Sequence, residues 1–247
     1  MRPGRSHPHA MDPCDGVLLI DKPQGPTSHD VVDKIRRHFR FEKVGHGGSL
    51  DPQATGLLII LVGKGTKVSS RFMTADKIYE GCLKLGSSTD SHDAEGKVTR
   101  EGDASAITRE RFEEGMAAFR GDIFQTPPMV SAIKKNGVPL YKLARKGETV
   151  EREARLVHIH EFVLTEFSPP LAHFRMRCTK GTYVRTICHD LGEKLGCGAH
   201  LLQLRRTQCG GFNIKDAITV AQAIEMGREN LVKKIVPLSQ IPLDHEA

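Results

Sequence analysis

The sequence contains no tryptophan, and aromatic residues make up only 5% of its 247 positions. That scarcity speaks against gripping single-stranded nucleic acid on long rows of stacked rings, because each held base needs its own aromatic face. No CxxC pair occurs either: Cys14, Cys82, Cys178, Cys188, Cys197 and Cys209 are scattered singly. Cysteines so spaced form neither the disulfide framework of a short secreted domain nor a four-ligand zinc site, and they read as free thiols in a reducing cytosol. Cys197 and His200 stand at a C-x-x-H spacing, but no second close pair completes a tetrahedron, so no metal is expected. No apolar run approaches the ~20 residues that span a bilayer, and the start lacks a secretory core. A soluble, cytoplasmic protein without membrane contact is therefore expected. Internal repeats and low-complexity tracts are also missing.

What is present is enough apolar residue, 38%, to bury a sizeable core. A formal charge of +6 and a pI near 9.0 fit a polyanionic partner, although a basic balance alone fits many soluble proteins. Residues 1–11 are rich in Pro, Gly, Arg and His and are expected to be a disordered leader, leaving 12–247 as the folded chain.

Periodicity gives the elements. Residues 16–20 read as a strand ending at Lys22 and Pro23, followed by a helix that Thr27 or Ser28 can cap. That helix carries Val31, Val32, Ile35 and Phe39 on one face, with Lys34, Arg36, Arg37 and Arg40 on the other. Such a basic face suits solvent as well as RNA. Strands are expected over 57–62, 79–85, 156–167, 172–178 and 201–205, and helices over 66–73, 108–119, 182–195 and 219–227. The 108–119 helix should bury Phe112, Met116 and Phe119. In the 182–195 helix the buried stripe is Val184, Ile187, Cys188, Leu191 and Leu195, and Tyr183 and Arg185 lie off it. The mixture without strict alternation predicts an α+β architecture around a largely antiparallel sheet.

Two stretches stand outside this pattern. Residues 88–96 are acidic and resemble a calcium loop, but the alternating ligands and closing Glu of that motif are missing, so a structural turn is expected. Residues 125–155 form a long insertion holding Pro127, Pro128 and the basic Lys134, Lys135, Lys142, Arg145, Lys146, Arg152 and Arg155. A surplus of positive charge on such an insertion suits a flap that closes over phosphates, as well as a solvated loop.

The stretch that points to chemistry is residues 45–58, GHGGSLDPQATGLL, which sets Asp51 between glycines and a proline. Gly47 and Gly48 allow close approach of a ligand to the backbone, and Pro52 pushes Asp51 toward an extended conformation. An Asp before Pro also starts turns and caps helices, so residue types alone leave both readings open.

Four further segments occur in the order of one family: GVLLIDKP at 16–23, DKIY at 76–79, KGTYVRT at 180–186, and LGCGAH at 195–200 leading to Leu204-Arg205-Arg206. With the Asp51 loop they make the chain resemble the TruB family of tRNA pseudouridine-55 synthases, over roughly residues 16–238. The resemblance implies the pseudouridine synthase fold, isomerisation of uridine 55 in the T-arm of tRNA, no cofactor and no metal; a monomer is expected. It makes Asp51 the nucleophile, adding to C6 of uracil or to C1′ of ribose, a choice the residues leave open. Arg185 matches the Arg that the family sets against this carboxylate, and Tyr79 matches the ring that stacks on the flipped uracil and can relay a proton. Tyr183 and Leu204 match pocket walls, His46 an RNA contact, and Lys22 a residue that supports the active-site loop or touches substrate. The 125–155 insertion corresponds to the segment that clamps the RNA stem-loop.

The chain departs from the family pattern in two places. The family usually carries Thr where Gly47 stands, which is expected to loosen the loop. The small C-terminal RNA-binding domain common in bacterial members is expected to be either absent or cut off, since the sequence stops at Ala247. An RNA chaperone using the same cleft, and a guide-RNA-dependent relative working in a larger particle, remain alternatives to the tRNA enzyme.

Overall fold

The computed structural model describes residues 14–241 apart from 132, 133, 136, 141, 142, 144–146 and 149. The leader expected over 1–11 lies outside the described residues, as do Lys142, Arg145 and Lys146 of the insertion. The described chain divides into two compact units, with breaks after Met73 and after Cys209.

In the first unit the chain runs through β1 (Gly16–Lys22), α1 (Ser28–Phe39), β2 (Val44–His46) and β3 (Thr55–Val62). β1 and β3 are antiparallel, with Ile20 opposite Leu58 and Lys22 opposite Gly56, and β2 pairs on β3 with His46 opposite Ile60. The unbroken apolar run Leu57–Val62 is buried at every position, which is what a strand covered on both faces requires. α1 begins in a capping box in which Thr27 and Asp30 satisfy each other's backbone N–H groups. It buries Val31, Val32, Ile35 and Phe39 as the spacing predicts. Its basic face is partly neutralised from within, since Arg36 and Arg37 both reach Asp33, at 3.2 and 3.7 Å.

The helix expected over 66–73 is split into a 3-10 segment, Gly63–Val68, and α2 (Ser69–Thr74). The cause is the tight approach of residues 63–65 to the start of β1. A β-carbon at Gly63 would lie 2.1 Å from Asp15 Oδ1, and one at Gly65 would lie 2.2 Å from the Gly16 carbonyl oxygen. The Asp15 carboxylate in turn accepts the Lys64 N–H at 2.7 Å.

The second unit contains β4 (Lys77–Leu85), β5 (Ser87–Thr89), β6 (Val98–Glu101), α3 (Arg109–Ala117), β7 (Gly121–Gln125), β8 (Lys134–Lys135), β9 (Val138–Pro139), β10 (Arg155–Ser168), β11 (Leu171–Cys178), α4 (Val184–Leu195) and β12 (Ala199–Cys209). Its main sheet has the order β12-β4-β11-β10-β7 and every pair is antiparallel. The α+β expectation therefore holds. Phe112 and Met116 of α3 and Ile187, Leu191 and Leu195 of α4 pack with Leu83, Phe162, Phe174 and Met176 of the strands. Each such side chain taken fully out of water contributes about 1.5–3 kcal/mol. Phe119, expected inside, is only partly buried, because α3 stops at Ala117 and the chain turns at Gly121 with φ 80°.

After β12 the chain returns to the first unit through β13 (Phe212–Asn213), β14 (Ile218–Thr219), α5 (Val220–Glu225), α6 (Gly227–Val232) and β15 (Val236–Pro237). β14 lies parallel to β1 and β15 antiparallel to it. Among the described residues no helix is long and apolar enough to cross a membrane, and all six cysteines are buried free thiols.

Candidate active site

The Asp51 turn is fixed from two sides. Ser28, the first residue of α1, turns its hydroxyl inward: Oγ accepts the Leu50 N–H at 2.8 Å and donates to the Leu50 carbonyl at 3.1 Å. Both backbone groups of the residue before Asp51 are thereby satisfied by one buried side chain. Thr27 caps the helix, so the two hydroxyls that compete for the cap divide the work between them. On the other side, Lys22 is completely buried, and its ammonium donates to the carbonyls of Pro23 at 2.9 Å, Pro26 at 2.8 Å and Pro52 at 3.1 Å. One cation thus ties the 23–26 turn to the 51–54 turn, helped by the Gly25 N–H on the Pro52 carbonyl at 2.9 Å. Between these anchors the Asp51 side chain is exposed.

Burial pushes the Lys22 ammonium down to about 8, while the Asp51 and Asp30 carboxylates pull it back up. Lys22 is accordingly a buried cation beside Asp51, still charged at neutral pH and favouring the ionised form of that carboxylate. Lys22→Met keeps the aliphatic stem and removes all three charge-assisted hydrogen bonds, so the part-buried Pro23 and Pro26 carbonyls lose their ammonium donor and Pro52 keeps only the Gly25 N–H. A loss of about 2–4 kcal/mol in unfolding free energy is expected, read from the denaturant midpoint at constant slope. A loss below about 1 kcal/mol would contradict the clamp.

His46 ends β2, and its Nδ1 accepts the Gly48 N–H at 3.3 Å. Gly48 sits at φ 136°, where a β-carbon is strained. Gly47 does not loosen the loop as expected. A β-carbon there would stand 2.5 Å from Phe72 Cβ and 3.2 Å from Ile59 Cβ, so the space a side chain at 47 needs is already filled. Gly47→Ala is expected to lower stability by about 1–3 kcal/mol through overpacking, measurable as a fall in the thermal midpoint.

In the second unit Tyr79 lies on β4 between Met176 of β11 and Arg206 of β12. Burial pushes its phenol up to about 12, against the pull of the buried Arg206, which hydrogen-bonds it. Tyr79 therefore keeps its proton throughout the physiological range, and its oxygen accepts from the Arg206 guanidinium. Leu204 of β12 faces Gly81 of β4, and both Leu204 and Tyr79 are partly buried against the main core.

Arg185 lies in the first turn of α4 and, although off the apolar stripe, is 4% exposed. It is buried on its partners: Nη1 donates to Asp93 Oδ2 at 3.2 Å, and Nη2 donates to the Val130 carbonyl. Its guanidinium carbon is 5.8 Å from the centre of the Tyr183 ring. Tyr183, at the helix N-cap, is held by Gln125, whose side-chain amide donates to its carbonyl at 3.0 Å and accepts its N–H at 2.8 Å. Asp93 is the residue that sequence reasoning passed over. Its carboxylate also accepts from Ser91 Oγ and from the Glu95 N–H, and the 88–96 segment read as a turn is built around it. The visible signal was Gly96, where a β-carbon would meet Ser91 Oγ at 2.3 Å and Asp90 Oδ1 at 2.5 Å.

The first unit thus brings Lys22 to Asp51 and carries His46 on the same loop. The second brings Tyr183 to Arg185 and sets Tyr79 and Leu204 on adjacent strands.

Comparison with known proteins agrees with these motifs. The model of the TruB family pseudouridylate synthase N-terminal domain matches residues 36–184, and that of the tRNA pseudouridylate synthase B C-terminal domain matches 185–241. The tRNA pseudouridine synthase B of Opitutus terrae is 51% identical over 226 residues, covering 92% of this chain and 94% of that protein. The protein of the same name from Pseudomonas aeruginosa is 51% identical over 205 residues, covering 83% of this chain and 67% of that one. Among solved structures, the crystal structure of a Cbf5-Nop10-Gar1 complex aligns with a TM-score of 0.73 at 30% identity, covering 92% of this chain and 61% of that chain. With its N-terminal family model alone spanning more than half the sequence, this chain belongs to the TruB family of pseudouridylate synthases.

Proposed function

We propose that this protein converts uridine 55 in the T-arm of tRNA to pseudouridine, acting in the cytoplasm as a monomer without metal or cofactor. The observation that carries the reading is an exposed carboxylate, Asp51, on a turn clamped by Ser28 and Lys22, in a chain half identical to tRNA pseudouridine synthase B. The reaction is an isomerisation. The carboxylate adds to C6 of the uracil or to C1′ of the ribose, the N1–C1′ bond breaks, and the ring turns. C5 then bonds to C1′, the C5 proton leaves to water, N1 takes up a proton in exchange, and the carboxylate is released. Tyr79 stacks on the base swung out of the RNA and holds its own proton, consistent with the high position of its phenol. Arg185, fixed by Asp93, and the pocket walls Tyr183 and Leu204 orient the reacting nucleotide. His46 meets the RNA beside the Asp51 turn. The 125–155 insertion grips the stem-loop through phosphates, so binding should fall steeply with added salt.

Incubating the purified protein with an unmodified tRNA transcript and mapping pseudouridine tests this directly, and modification at position 55 is the expected result. The similarity to the Cbf5-Nop10-Gar1 complex favours one other reading, a guide-RNA-dependent enzyme in a larger particle. That reading requires an inert protein on bare transcript.

A further inference from the structure

His92 and His189 lie flat against each other, with ring centroids 3.9 Å apart and planes 5° from parallel. His92 sits at φ 68°, in the left-handed region that residues with a β-carbon rarely occupy. It is pinned there by its N–H on the Thr89 carbonyl at 3.2 Å and by the Leu201 N–H on its own carbonyl at 3.0 Å. Its Nδ1 is 3.3 Å from Thr186 Oγ1. One turn of α4 therefore holds two consecutive residues of the 88–96 turn. Arg185 takes Asp93, and Thr186 and His189 take His92.

The charges around His92 favour its neutral ring. His92 faces His189 and Arg185 from α4, Arg152 from the 125–155 insertion, and Asp93 from its own turn, while Asp190 and Glu193 act on His189. Burial first, then His189 and the two arginines, push the His92 imidazole down to about 4, with only Asp93 opposing. A proton on His92 would set an imidazolium against the His189 ring and the nearby guanidinium groups.

We propose that the His92–His189 stack is a positioning device that keeps Asp93 in register with Arg185 while the His92 ring is uncharged. The pair touches no reacting atom and acts through Arg185. The inference rests on the functional reading above only in its kinetic test, so wild-type turnover on a tRNA transcript is measured first. His189→Ala is expected to lower the single-turnover rate at pH 7.5 by about tenfold with KM within about twofold. His189→Phe, which keeps a flat ring but takes no proton, is expected to restore most of that rate. His189→Ala at the wild-type rate, or His189→Phe as slow as His189→Ala, would each overturn the proposal. Ring-proton NMR of the wild-type protein reads the pair without any turnover. His92 titrating well below the ordinary histidine range supports the device, and ordinary titration overturns it even if the transcript is never modified.

Discussion

Asp51→Asn is expected to reduce pseudouridine formation by roughly 10⁴-fold or more while leaving fold and tRNA binding nearly intact. Asn matches Asp in size and presents the same carbonyl oxygen, but it lacks the negative charge that makes the carboxylate a nucleophile. Little else should change, because the turn is held by its backbone. Ser28 fixes Leu50, Lys22 fixes Pro52, and the Asp51 carbonyl accepts the Ala54 N–H at 3.0 Å. The side chain itself is exposed, so a stability change within about 0.5 kcal/mol is expected. The measurement is release of hydrogen from C5 of the uridine in a tRNA transcript under single-turnover conditions, with binding followed separately. A variant that isomerises at a rate near wild type would remove Asp51 from the chemistry and return it to the role of turn residue. A variant that loses binding and rate together would make Asp51 an RNA contact instead.

The parts of this protein that were legible in its sequence depend on neighbours in the chain. The end of β1 and the start of α1 are written locally, since Pro23, Gly25 and Pro26 break the strand and Thr27 with Asp30 closes a capping box. Leu57–Val62 could only be a covered strand, and the stripe of α4 follows from its period. What could not be read depends on contacts between distant residues. Nothing near Ser28 announces that its hydroxyl faces Leu50, 22 residues on. Arg185 looks like a surface residue until Asp93, 92 residues earlier, arrives to neutralise it. The acids of 88–96 were weighed as possible metal ligands and set aside, although one of them serves an internal cation. The 3-10 break at 63–68 comes from the pressure of β1 and Asp15, which propensity cannot see. Motif resemblance named Lys22 without saying why. Three proline carbonyls around one buried ammonium supply the reason.

Arg185→Met should cost about 3–5 kcal/mol of stability, a larger effect than any other substitution considered, because it strands a carboxylate inside the protein. Asp93 is 9% exposed and its remaining partners, Ser91 Oγ and the Glu95 N–H, are uncharged donors. Methionine fills much of the volume of the lost side chain, so the penalty is electrostatic and not a cavity effect. Arg185→Lys should recover only part of it. One ammonium cannot reach both the Asp93 carboxylate and the Val130 carbonyl along the two arms of a planar guanidinium. Asp93→Asn alone should be milder, since it leaves a buried Arg that still donates to Val130 and packs near Tyr183. The decisive comparison is the double variant Arg185→Met with Asp93→Asn. With both charges gone, its stability should exceed that of Arg185→Met alone, giving a coupling energy of about 1–3 kcal/mol in a double-mutant cycle. Strict additivity would mean that the two side chains meet without holding each other. Activity separates the structural role from the functional one. Turnover should stay at least about 100-fold below wild type in the double variant even where the fold is restored, because the carboxamide and the thioether rebuild a neutral core but supply no cation for the reacting nucleotide.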